Sequence, residues 1–165
     1  EGAPTESAMC RFSGTWHAIK VEGRDDFLKS MSLPWILRTI AATMPPPDML
    51  FFIHDDTFLH SHTVMFGKVV DEQYKEGGSS SKSRFGVTTT LTYHWEGDSL
   101  TYTLTKSGSP EEETKSRRWI EPDGTTMVAE THFRKTAAVP WVILRRTYVR
   151  VSAEQKSGAA LCGLE

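Results

Sequence analysis

The chain has 165 residues, of which 38% are hydrophobic and 24% charged, with a formal net charge of −2. That is one domain's length, with enough apolar material for a single core, and it carries no overall basic field to recruit nucleic acid or an acidic membrane. The most apolar stretch, "SLPWILRTIAATM", is broken by Arg38 and ended by Pro45, Pro46 and Pro47, so it cannot supply the ~20 apolar residues of a spanning helix.

Residues 1–9 are small and polar without a period and are expected to form a disordered tail. "FSGTWHAIKVE" is the first strand candidate, with Trp16, Ile19 and Val21 as its apolar members and Gly23 ending it. The period then becomes helical. "DDFLKSM" sets Phe27, Leu28 and Met31 on one face, with Asp25 or Asp26 as the expected cap. In "SLPWILRTIAAT", Ser32 is a candidate cap, Pro34 suits the first turn, and Trp35, Ile36, Ile40 and Thr43 share a face. The prolines at 45–47 stop this second helix.

Everything afterwards alternates strand and turn. "MLFFIHDDTF", "LHSHTVMFG" and "KVVDEQYK" precede a serine- and glycine-rich segment, "EGGSSSKS", expected to be a flexible loop. "RFGVTTTLTYHW" and "SLTYTLTK" form a hairpin through Glu96-Gly97-Asp98, and "SGSPEEE" is a turn. "TKSRRWIE" leads through the turn Pro122-Asp123-Gly124 into "TTMVAETHF". "VPWVILRRTYVRV" comes last, before a tail at 153–165. About ten strands and a helical pair, in one domain over residues 10–152, suggest a closed antiparallel barrel or a sandwich.

The last strand poses a chemical question. Side chains alternate faces along a strand, so Val142, Leu144, Arg146 and Tyr148 share one face. If that face points inward, Arg146 needs an anion, because an unpartnered buried guanidinium is strongly unfavourable. The alternative is that Arg145 and Arg146 are ordinary exposed and salt-bridged residues.

The ordered set of stretches resembles the intracellular lipid-binding proteins, the family of the fatty-acid-binding and cellular retinoid-binding proteins. "FSGTW" is similar to its opening Phe-x-Gly-x-Trp. "DDFLKSM" and "WILRTIAATMPP" are similar to its two helices, Thr57-Phe58 to its portal turn, and "FGKVVDE" to its Leu-Gly-Glu-Glu-Phe-Asp-Glu. "EGDSLTYTLTK", "RRWIEPDGTTMVAE" and "RRTYVRV" are similar to its later hairpin, its arginine-bearing strand and its closing Arg-x-Tyr. The resemblance spans residues 12 to about 152. It departs where "SGSPEE" replaces a Trp-Asp-Gly turn and where "EGGSSSKS" and "RKTAAVP" are longer.

This resemblance implies a mainly β fold: a ten-stranded antiparallel up-and-down barrel, or clam, capped by a helix–turn–helix between the first two strands. It implies a non-catalytic carrier whose ligand, a fatty acid or a retinoid-like carboxylate, is bound without a cofactor or metal. Arg146 and Tyr148 match the ligand-holding Arg-x-Tyr. Of Arg117 and Arg118, strand parity prefers Arg118 as the second arginine. Phe58, Trp35, Leu28 and Met31 match the portal, either as a gate or as core residues closing the barrel's open end. A monomer without nucleic-acid partners is expected, with transient membrane contact through the helical cap. The competing readings are an enzyme or chromophore-binding protein on the same barrel, and a stress-protective barrel without a specific ligand.

Two further features stay open. His60 and His62 share a strand face, but no third zinc ligand is evident. Cys10 and Cys162 are either unrelated thiols or one disulfide closing a long loop, which would contribute roughly 4–5 kcal/mol in the chain-entropy model. That bond, together with a first residue other than Met, tilts the expected location toward the extracellular space, with the cytoplasm as the alternative.

Overall fold

The computed structural model describes residues 6–54, 58–65, 68–75, 77–84 and 86–151. Ten antiparallel strands form one curled sheet: β1 (Gly14–Glu22), β2 (Met49–His54), β3 (Phe58–Met65), β4 (Lys68–Tyr74), β5 (Ser79–Arg84), β6 (Val87–Glu96), β7 (Ser99–Lys106), β8 (Glu113–Ile120), β9 (Thr126–Arg134) and β10 (Val142–Arg150). Their order is β4-β3-β2-β1-β10-β9-β8-β7-β6-β5. Every neighbour follows in sequence except β1 and β10, which pair and bring the two ends of the chain side by side. The sheet's edges are therefore β4 and β5, which lie next to each other in sequence but do not pair in the ladder.

Among the described residues, three short helices accompany the sheet: α1 (Glu6–Phe12) before β1, and α2 (Arg24–Ser30) and α3 (Trp35–Thr43) between β1 and β2. Helix α1 makes residues 6–9 of the expected tail helical, while residues 1–5 lie outside the described residues. Its Ala8, Met9, Cys10 and Phe12 are buried in the main core, where they join Trp16, Phe51 and Trp95 in one apolar cluster. Arg150 fixes the helix end: its guanidinium donates to the carbonyls of Ser13 and Arg11, the latter at 2.6 Å, and stacks over Trp16 at 4.4 Å. Trp16 in turn donates from its indole to the Phe12 carbonyl at 2.8 Å.

The cap expectations for the other two helices are also corrected. Gly23 precedes α2 at φ 74 with no side-chain cap, and Asp25 and Asp26 fall inside the first turn. A Cβ at Gly23 would lie 2.1 Å from the Ile143 carbonyl oxygen, so the close approach of α2 to β10 selects glycine. Pro34 is the residue before α3, and Ser32 makes no cap bond there. Arg24 instead ties down the far end of α3, donating to the carbonyls of Ala41, Ala42 and Met44 at 2.9–3.2 Å.

A second correction concerns "EGGSSSKS". Ser79–Arg84 is not a loop but the edge strand β5. It is held by hydroxyl pairs to β6: Ser81 to Thr90 at 2.8 Å and Ser83 to Thr88 at 2.7 Å. Serine-to-threonine cross-strand pairs stabilise a ladder that has no apolar side chain to bury, and a polar edge also discourages pairing with other chains.

Among the described residues, two apolar clusters pack in the interior. The larger joins α1 to the lower strands through Phe12, Trp16, Phe51, Tyr74, Tyr93, Trp95, Met127 and Tyr148, with rings in edge contact at 4.8–5.8 Å for Phe12–Phe51, Phe12–Trp95 and Tyr74–Tyr93. The smaller seats α2 on the upper strands through Phe27, Phe133 and Leu144. No described helix is long and apolar enough to cross a membrane. The tail at 153–165 and the Asp55-Asp56 turn lie outside the described residues.

Candidate functional site

The inner wall is read from strand register. On β10, Leu144 and Tyr148 are buried while Ile143 and Arg145 are exposed, so Arg146, between Leu144 and Tyr148, faces inward. On β8, Ser116 and Ile120 are buried and Arg117 is exposed, so Arg118 faces inward. Arg117 points out and donates to the Ser99 hydroxyl at 3.0 Å. Parity thus decides between the two arginines in favour of Arg118.

Register then brings the pair together. Arg118 and Arg146 both sit opposite Ala129 of β9. The two arginines occupy one row, two strand spacings apart, which is roughly 10 Å of backbone separation, with one methyl group between them. The row below holds Ile120, Met127 and Tyr148, all buried. The row above holds Ser116, Thr131 and Leu144. Arg118 and Arg146 keep some accessible surface although they face inward, as do Leu91, Tyr102 and Leu104 on β6 and β7.

Arg118 is caged by rings. Its guanidinium carbon lies 5.5 Å from the centre of Tyr102, 5.6 Å from Tyr74 and 5.9 Å from Phe51, distances at which aromatic faces attract a cation. It donates to the Tyr74 hydroxyl at 2.8 Å. Burial works against its charge, but the neighbouring oxygens of Tyr74 and Tyr102 outweigh that, and the group stays a cation. Burial also holds the Tyr74 phenol above the ordinary tyrosine range, so its proton is present at neutral pH. Among the described residues, Arg146 has neither a hydrogen bond nor an ion pair.

The portal residues are placed as follows. Leu28 is part-buried on α2, and Met31 just beyond it is 41% exposed. Trp35 is 66% exposed, and its neighbours Ile36, Leu37 and Ile40 are about half exposed, so α3 turns an apolar surface outward and buries none of its residues. Trp35 is thus not a buried core residue: α3 is held by its contacts with α2 and by Arg24, not by sinking into the barrel. Phe58 opens β3, but its side chain lies outside the described part of the structure. Cys10 is buried on α1, and Cys162 lies outside the described residues. His62 pairs with Asp71 at 2.7 Å on the outer face of the β3–β4 hairpin.

Sequence reasoning did not find Tyr74, Glu72, Tyr102 or Ser61 as interior groups. The signal was present in "VVDEQY", where alternation sets Val70, Glu72 and Tyr74 on one face.

Solved structures settle what this architecture is. Fatty-acid-binding protein 1 of Echinococcus granulosus superposes with a TM-score of 0.68 at 16% identity, covering 86% of this chain and 98% of that one. The chain has the fold of the fatty-acid-binding proteins. Apo lipid binding protein 8 of Caenorhabditis elegans matches the same fold with a TM-score of 0.67 at 15% identity, over 86% and 96% of the two chains. A fatty acid transporter, REP1-NXSQ, matches it with a TM-score of 0.64 at 20% identity, over 86% and 97%. No protein-family model matches the sequence, and no curated protein does either.

Proposed function

We propose that this lipid-binding fold serves as a non-catalytic carrier of hydrophobic carboxylates, fatty acids or retinoid-like acids, held inside the barrel. The observation that carries the reading is the Arg118–Ala129–Arg146 row on the inner wall, with Tyr148 directly beneath Arg146. Two guanidinium groups turned toward one interior space call for an anion, since each loses hydration there. The planar fork of arginine fits a carboxylate, and a tyrosine adds a neutral donor.

Magnitudes divide the labour. Charge-assisted hydrogen bonds contribute roughly 1.5–3 kcal/mol each. Burial contributes ~0.8 kcal/mol per methylene, so a dozen give roughly 10 kcal/mol before ordering and association costs. The chain supplies most of the affinity, and the arginines set orientation and select anions. The apolar floor of Phe12, Trp16, Trp95 and Met127 leaves the tail one direction, upward past Leu144 to the helices. There the exposed apolar face of α3 serves as the contact with donor and acceptor membranes. The carrier acts as a monomer. The Cys10–Cys162 disulfide belongs to the same proposal and would put the carrier outside the cell.

Native mass spectrometry of the purified protein, followed by displacement of a fluorescent fatty acid, tests the reading. A co-purified fatty acid, and displacement by the free acid at lower concentration than by its methyl ester, are expected. A chain that takes up neither acid nor ester overturns the carrier reading, and a coloured or covalently modified chain turns it toward an enzyme or pigment protein.

A further inference from the structure

Resting on the carrier reading, we infer that the Glu72–Tyr74 pair is a built-in occupant of the head-group site: in the empty barrel it holds Arg118, and an incoming anion must displace it. Three contacts meet at one oxygen. The Arg118 guanidinium donates to the Tyr74 hydroxyl at 2.8 Å, and that hydroxyl donates to a Glu72 carboxylate oxygen at 2.8 Å. The Ser61 hydroxyl lies 3.0 Å from it. A phenol has one proton and two lone pairs. The proton goes to the carboxylate, and the lone pairs accept from Arg118 and Ser61, so the hydroxyl is fully used.

The bond crosses the interior. Tyr74 comes from the edge strand β4 and Arg118 from β8, six places away in the strand order. Glu72 and Tyr74 are two residues apart on one face of β4, which sets the carboxylate within two hydrogen-bond lengths of the guanidinium, with the phenol between them. Glu72 therefore stands where a ligand carboxylate would act. A second carboxylate brought to Arg118 meets like-charge repulsion unless Glu72 withdraws.

There is room to withdraw. A cavity of about 370 Å³ opens between the edges β4 and β5, lined by Glu72, Gly78, Ser80 and Tyr93 among others. Turning outward into this space, the Glu72 carboxylate regains water while the ligand takes its place. Arg146 has no such internal partner among the described residues. The two arginines are thus unequal: Arg146 is open to the head group from the start, and Arg118 becomes available only when Glu72 leaves.

The experiment compares Glu72→Gln and Glu72→Ala with the wild type, measuring dissociation constants for oleic acid and for methyl oleate by displacement of a fluorescent fatty acid. Asp71→Asn is the control, because it removes the same charge from the neighbouring outward-facing position. Both Glu72 variants are expected to bind oleic acid about tenfold more tightly, with methyl oleate unchanged and Asp71→Asn unaltered for both. Unchanged or weaker acid binding in the Glu72 variants, or an equal gain in Asp71→Asn, overturns the inference. If Glu72→Ala does not fold, the isosteric Glu72→Gln decides alone. A wild-type protein that binds neither acid nor ester removes the carrier reading itself, a result separable from a carrier indifferent to Glu72.

Discussion

Ala129 holds the two interior arginines apart by a single methyl group, and what lies on either side of it is not symmetrical. Arg118 is boxed by Phe51, Tyr74 and Tyr102 and bonded to Tyr74, whereas Arg146 sits between buried Leu144 and buried Tyr148 without a bonding partner among the described residues. Arg146 is accordingly the side chain whose loss affects binding rather than packing. Arg146→Ala should weaken fatty-acid binding by about ten- to a hundredfold, the value of one charge-assisted contact. It should leave uptake of the methyl ester near the wild-type level. Isothermal titration with both ligands checks this, and a retained preference for the acid would speak against it. The residue scale was well legible from sequence where alternation could be applied: β8 parity put Arg118 inside and Arg117 outside. For Tyr74, alternation carried the inward orientation but not the partner, because no local pattern says that a β4 side chain will reach a β8 arginine across the barrel.

At the scale of elements, strands with mixed apolar and polar alternation were readable, and two elements were not. The serine run of β5 has the composition of a loop, and its pairing with β6, through the backbone ladder and the hydroxyl pairs, makes it a strand. Helix α1 spans only seven residues and is helical because the barrel floor buries Ala8, Met9 and Phe12, a tertiary cause with no signature in a short window. Two connections carry sharp expectations. Gly23→Val must force a Cβ toward the Ile143 carbonyl in a left-handed backbone, and should cost about 2–4 kcal/mol, read as a lowered urea midpoint. In the β8–β9 turn, Asp123 accepts from the Thr125 and Thr126 amides and the Thr126 hydroxyl at 2.8–2.9 Å. The Thr125 amide first, and then Thr126, hold its carboxyl below the ordinary carboxylate range. A lowered folded-state value means that this support is present above the unfolded value and is lost as pH falls through the folded one. Asp123→Ala should therefore lower the thermal midpoint at neutral pH and converge with the wild type in acid. A constant difference at every pH would refute the assignment.

Across the whole molecule, arginine, serine and threonine side chains share the inner wall with apolar and aromatic ones, helix α1 packs at the lower end, and α3 presents apolar side chains at the upper one. The order of layers from floor to cap runs from α1 and its aromatic cluster, through the row of Ile120, Met127 and Tyr148, to the arginine row and then to Leu144, Phe133 and α2. On the proposed carrier reading, such an arrangement favours entry from the helical end with the head group leading. Helix α3 exposes Trp35, Ile36, Leu37 and Ile40 at that end. Replacing Trp35 and Ile40 together by serine should slow transfer of a fluorescent fatty acid from the protein to phosphatidylcholine vesicles several-fold, while leaving its dissociation constant unchanged. A transfer rate equal to wild type would remove α3 from the exchange step. The ordered set of short motifs was enough to identify the barrel from sequence, whereas the seating of α3 outside the core rests on Arg24 and the α2 contact, which no single segment encodes. The decisive measurement is a crystal structure of the protein with oleic acid bound. The carboxylate should lie within hydrogen-bonding distance of Arg146 and Tyr148, with Glu72 turned toward the β4–β5 gap and the acyl chain rising toward α2. A carboxylate at the helical end with the chain pointing down, or lipid bound only to the outer wall, would contradict it.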